Sequence, residues 1–77
     1  TRFQAALRAR GWSIPEWVEA RGGVKKTGLG VDTAKSWVKK PGKGGRPIPR
    51  VWADRIAAEF EDATLSDPEA WPNGIRE

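Results

Sequence analysis

The side chains best placed to do chemistry in this sequence are cations. The stretch "DTAKSWVKKPGKGGRPIPR", residues 32–50, carries Lys35, Lys39, Lys40, Lys43, Arg46 and Arg50 around a single tryptophan, Trp37. Lysine offers a point charge, whereas arginine also grips a phosphate or a guanine edge through two parallel hydrogen bonds. The chain has no cysteine and no histidine. Thiolate and imidazole metal ligands are therefore missing, as is the commonest general base. Glu59, Glu61, Asp62, Asp67 and Glu69 have no such groups to work with, so they read as a solvated face that repels polyanions. The glycines of "GKGGRP" lack the spacing of a nucleotide phosphate loop, and no strand pattern precedes them. No enzyme, cofactor, metal or small-molecule substrate is expected.

The distribution of charge points the same way. Net charge is +4, yet residues 1–24 carry +2, residues 25–50 carry +7 and residues 51–77 carry −5. A basic centre followed by an acidic stretch is the electrostatic pattern of a face that receives a polyanion.

Helices must position these cations. "TRFQAALRARG" places Phe3, Ala6, Leu7 and Arg10 at helical spacing and stops on Gly11, which predicts a helix at about 2–10. Ser13 with Glu16 three residues on forms a capping box, and Pro15 suits a first turn, so a second helix is expected at about 14–21, ending at Gly22–Gly23. "VKKTGLG" reads as a polar turn carrying Val24 and Leu29, with Gly28 and Gly30 free to take positive φ. Asp32 reads as the N-cap of a third helix, 32–40, with Ala34, Trp37 and Val38 facing inwards. Thr33, Lys35, Ser36, Lys39 and Lys40 then share its outer face, and Pro41–Gly42 closes it. "IPRVWADRIAAEFEDA" holds the strongest amphipathic pattern: Ile48, Trp52, Ile56 and Phe60, widened by Val51 and Ala57, with Pro49 in its first turn. A last helical turn near Ser66–Glu69 is expected. No strand pattern, repeat or low-complexity tract is visible.

A short helix, a glycine-containing turn and a second short helix with small polar residues outside make a helix-turn-helix unit. On this reading the third helix is sized for a DNA major groove. Thr33, Lys35 and Ser36 are candidate base readers. Lys39, Lys40, Lys43, Arg46 and Arg50 are candidate phosphate contacts, and Lys25 and Lys26 on the long turn add two more. Arg46, on its glycine-flanked loop, also suits a minor groove. Trp17, Trp37 and Trp52 lie in apolar stripes and read as core. Trp12 and Trp71 suit either a core cover or a subunit contact.

The run "LGVDTAKSWVKKPGKGGRPIPRVWADRIAAEF" resembles the small phage-type Cro/repressor helix-turn-helix proteins, through Gly30, Val31, Trp37, Gly45, Pro47, Ile48 and Pro49. The likeness covers about residues 12–60. It implies an all-α domain of four to five short helices with a lambda-repressor-like fold. It also implies a homodimer on a two-fold-symmetric operator, repressing phage or mobile-element genes. The family joins its two helices by a tight turn, whereas "GGVKKTGLG" is long.

Seventy-seven residues fit one domain. Its core is expected at about 2–60, with 61–77 an acidic tail available for dimer contact. No apolar run approaches the ~20 residues of a membrane span, and no export signal is visible, so a cytoplasmic location in a bacterial host is expected. Two other readings stay open from residues alone. One is a non-specific nucleic-acid binder. The other is a phage-encoded inhibitor or adaptor that docks on a host protein.

Overall fold

Thr1 opens the first helix by a reciprocal cap, its hydroxyl accepting from the Gln4 backbone N–H while the Gln4 side chain turns back to Thr1. A computed structural model describes all residues, 1–77, and this helix, α1, spans Arg2–Ala9. The Ser13–Glu16 capping box forms as expected, with the Ser13 N–H donating to Glu16 Oε1 at 3.0 Å. It opens α2, Ile14–Ala20, with Pro15 in its first turn.

The stretch expected to be a polar turn holds a helix of its own, α3, Gly23–Thr27. Gly22 and Gly23, at φ 99° and 65°, turn the chain sharply enough to start it. The Thr27 hydroxyl donates to Gly23 O at 2.8 Å and accepts from Leu29 N–H at 3.1 Å, stitching the end of α3 to the next segment. Gly28 takes the positive φ expected of it, but Gly30 is extended. Then follow α4, Val31–Ser36, a strand β1, Ile48–Pro49, and α5, Arg50–Glu59. Two single 3-10 turns, Ala63–Ser66 and Pro68–Ala70, lead to β2, Ile75–Arg76.

β2 pairs in parallel with β1, Ile48 opposite Ile75 and Pro49 opposite Arg76. The fold is therefore mostly helical, five helices with one very short two-stranded pair, rather than all-α. Two-residue strands carry no alternation, so periodicity could not reveal them. Pro49 lies in this strand and caps α5 from outside instead of entering its first turn. Ala53, Ile56 and Ala57 form the buried stripe of α5, with Trp52 and Phe60 half-buried beside it. Val51, expected to widen the stripe, is 53% exposed.

The core is organised by aromatic rings. Trp71 lies 5.3 Å from Phe3, Phe3 5.1 Å from Trp17, Trp17 6.1 Å from Trp52, and Trp52 6.0 Å from Trp37. Each tilted or edge-on contact contributes about 0.5–1.5 kcal/mol beyond the area it buries. This series runs from the C-terminal segment to α4, and it corrects the expected boundary at residue 60. Leu65 and Trp71 are buried, and the Trp71 indole N–H donates to Leu65 O at 2.8 Å. The 61–77 segment thus contributes Leu65 and Trp71 to the core, with Ile75 packed against it, and Trp71 is not exposed for a subunit contact. An acidic composition hid this, because two well-placed apolar side chains suffice to dock the segment.

Glu59 ties three helices together beside this series. Its carboxylate pairs with Arg21, lies 3.9 Å from Arg10 and accepts from the Trp17 indole N–H at 3.2 Å. Arg10 stacks on Phe60 and Arg21 on Trp17. These arginines are structural, which removes them from the cations free to meet a partner.

Candidate nucleic-acid interface

Six residues make α4, and their surroundings explain why it stops at Ser36 rather than reaching 40. Trp37 and Val38 N–H groups bond three residues back, to Ala34 O and Lys35 O, tightening the last turn. Pro41 disfavours helical geometry at the residue before it. The freed carbonyls are taken by the rest of the chain: Arg46 N–H donates to Ser36 O at 2.9 Å, and the Asn73 amide to Lys39 O at 2.9 Å. The basic loop is thus pinned at both shoulders. Lys39 and Lys40 stand on the bend that follows α4, exposed.

Gly45 sits where the loop meets the C-terminal segment. A methyl group there would overlap the Asn73 amide and the Lys39 carbonyl. A residue without a side chain is what lets Asn73 approach the loop.

At the start of α4 the N-cap is Gly30, in extended geometry and without a side-chain cap bond. Asp32, expected to be the cap, is instead within the first turn. Its carboxylate is exposed and makes no hydrogen bond or ion pair in the fold, while its charge complements the helix N-terminus. Thr33 and Lys35 are exposed beside it. Ser36 is not. It is 7% exposed, and its hydroxyl donates to Thr33 O at 2.6 Å. Its place on the outer face is corrected, because the loop returning through Arg46 covers it and the hydroxyl is satisfied locally.

Two clefts flank α4. The first lies between α4, α1 and the start of α2, with Lys35 and Lys39 on one wall, Arg8 and Gln4 on the other, and Trp12 and Val38 on its apolar floor. Trp12 is thus half-buried at a cleft, covering the core without closing over it. The second cleft lies between α4, the basic loop and β2, lined by Asp32, Thr33, Arg46 and Arg76. The structure therefore brings Lys35 and Lys39 together on one side and Thr33 and Arg46 on the other. Lys40 and Lys43 are exposed on the connecting segment, and Lys25 and Lys26 stand on α3, outside both clefts.

Arg50 departs from the expected set of free cations. Its guanidinium holds Glu77 through two bonds, Nη2 to Oε2 at 2.6 Å and Nε to Oε1 at 3.1 Å, and also donates to Ser66 O at 2.7 Å. Asp54 lies at 3.5 Å. The Glu77 hydrogen bond raises the Arg50 pKa, and the same bond lowers that of Glu77. Arg50 is corrected from a phosphate contact to an internal clamp, since its charge is already matched and its donors occupied. By contrast Lys25, Lys26, Lys35, Lys39, Lys40, Lys43 and Arg46 form no ion pair in the fold.

Sequence reasoning missed Asp32 as an exposed group, and it did not join Arg8 or Arg76 to the basic track. Arg8 had a signal, since Gln4 and Arg8 are one helical step apart on the face away from Phe3. Arg76 had none, because only the β1–β2 pairing brings it to α4. Comparison with protein-family models, with curated proteins and with solved structures gives no match.

Proposed function

We propose that this chain binds duplex DNA, presenting α4 to the major groove, and acts as a sequence-specific transcriptional repressor of the lambda-repressor-like helix-turn-helix class. The observation that carries the reading is the state of the cations about α4. Lys35, Lys39, Lys40, Lys43 and Arg46 are exposed and unpaired, while Arg10, Arg21 and Arg50 are matched by acids within the fold. Unpaired cations at close spacing repel one another, and a polyanion relieves that repulsion.

Roles follow from position. Asp32, Thr33 and Lys35 meet base edges: a carboxylate accepts from cytosine N4, a threonine methyl meets thymine, and a lysine donates to guanine O6 or N7. Lys39, Lys40, Lys43 and Arg46 meet phosphates, with Lys25 and Lys26 contributing from α3. One α4 reads few base pairs, so two copies bind a two-fold-symmetric site as a homodimer. The inward turn of Ser36 favours a second reading, a duplex binder with little sequence preference, because it leaves only three side chains to read bases.

Fluorescence anisotropy decides between them, with titration against the DNA upstream of the protein's own gene and against a scrambled duplex at two salt concentrations. Upstream affinity at least about a thousandfold higher supports the specific regulator. Equal, salt-sensitive affinities support the second reading. No binding to either duplex refutes both and turns the search to a protein partner.

A further inference from the structure

Lys35 on α4, with Lys39 on the bend just after it, lines one cleft beside the helix, and Thr33 and Ser36 line the other. Each cleft has an arginine on its far wall. Arg8 comes from α1 in the first, and Arg76 from β2 in the second. Both arginines are exposed, and neither side chain makes a hydrogen bond or ion pair within the fold.

Their backbones are held. Arg8 lies in a helix fixed by buried Phe3 and Leu7, and Arg76 pairs with Pro49 in the parallel ladder. Glu77, the acid beside Arg76 in the chain, is committed to Arg50 and leaves Arg76 uncompensated. Asp32 is the one acid lining the second cleft, and none lines the first.

A major groove is about 12 Å wide and is bounded by a phosphate strand on each side. A helix lying in it meets one strand across each flank. We infer that Arg8 and Arg76 contact phosphates on the two opposite strands of the groove that α4 enters, bracketing the helix and fixing its depth and tilt. The C-terminal segment is then a working wall of the interface, despite its net acidity. This inference rests on the duplex-binding reading above.

The test uses the full chain with Arg8→Gln, Arg76→Gln and the charge-retaining Arg76→Lys, on the duplex that binds the wild type best. Phosphate-ethylation interference maps the backbone contacts, and anisotropy at several salt concentrations gives the log–log salt slope. Arg8→Gln should lose interference on one strand and Arg76→Gln on the other. Each should flatten the slope by about 0.9, the value for one phosphate on B-DNA, while Arg76→Lys keeps it. Thermal unfolding should match wild type for all three, as both side chains are exposed and unbonded. Wild-type slopes and footprints in the Gln variants, or loss on the same strand in both, would overturn the bracketing while leaving duplex binding intact. Failure of the wild type to bind any duplex would overturn the underlying reading, and the bracketing with it.

Discussion

Asp32 and Thr33 stand in the first turn of α4 with no side-chain partner in the fold, so their replacement tests recognition with little effect on stability. Asp32→Asn should change base preference at one position, since the amide both donates and accepts; a good base contact contributes about 1–3 kcal/mol of discrimination. Lys35→Ala should narrow the gap between the preferred site and random duplex, read by competition titration. Ser36→Ala should behave in the opposite way. Its hydroxyl is buried and bonded to Thr33 O, so about 1 kcal/mol of stability should go, measured by urea unfolding, with base preference unchanged. At this scale the cations were legible because charge is written directly in residue type. Orientation was not. Ser36 and Lys35 look equally outward on a helical wheel, and only the return of the loop through Arg46 decides which one is covered.

At the scale of elements, acid should loosen several joints at once. Three carboxyls have native pKa values below the ordinary carboxylate range. Backbone and side-chain hydrogen bonds from Ser13 lower that of Glu16, the Thr64 hydroxyl lowers that of Asp62, and Arg50 lowers that of Glu77. A depressed native pKa means the ionised form stabilises the fold. That contribution is complete above the unfolded-state pKa and disappears as pH falls through the native one. Thermal unfolding should therefore be flat near neutrality and decline through the acid carboxylate range. Glu77→Gln should remove part of that decline, and a variant with an unchanged acid limb would show that the Arg50 clamp contributes nothing. The capped helix α2 was legible down to its Ser13–Glu16 pair, because caps are local. Helix α3 was not, since its start depends on two successive positive-φ glycines, and sequence assigns such pairs to turns. The end of α4 was not legible because the groups that bind the Ser36 and Lys39 carbonyls, Arg46 N–H and the Asn73 amide, come from later parts of the chain.

For the whole molecule the controlling fact is that the core closes late in the sequence. Trp71 is 3% exposed, touches Phe3 at the start of the chain, and bonds Leu65. Trp71→Ala should cost about 3–5 kcal/mol, a large share of the 5–15 kcal/mol that small domains possess. A chain ending at residue 60 should give no cooperative thermal transition, whereas an independent 2–60 core would melt normally. Composition hid this, since a stretch rich in acids reads as solvated even when Leu65, Trp71 and Ile75 anchor it. The general class, a small and mostly helical domain, was legible from periodicity. The parallel pair of Ile48 with Ile75 was beyond it, being a contact between distant short segments.

That pairing also sets an order in time. Ribosomes release a chain from its N-terminal end, so α1, α2 and α4 emerge before Leu65, Trp71 and Ile75 exist to cover them. Phe3, Trp17 and Trp37 must wait with incomplete neighbours, and the loop carrying Lys43 and Arg46 lacks Asn73 to pin it. Folding that needs such distant contacts is slowed by the entropy of closing the intervening chain. The basic face therefore takes its final shape only after synthesis has passed residue 75, and a nascent chain arrested earlier should be sticky and protease-sensitive.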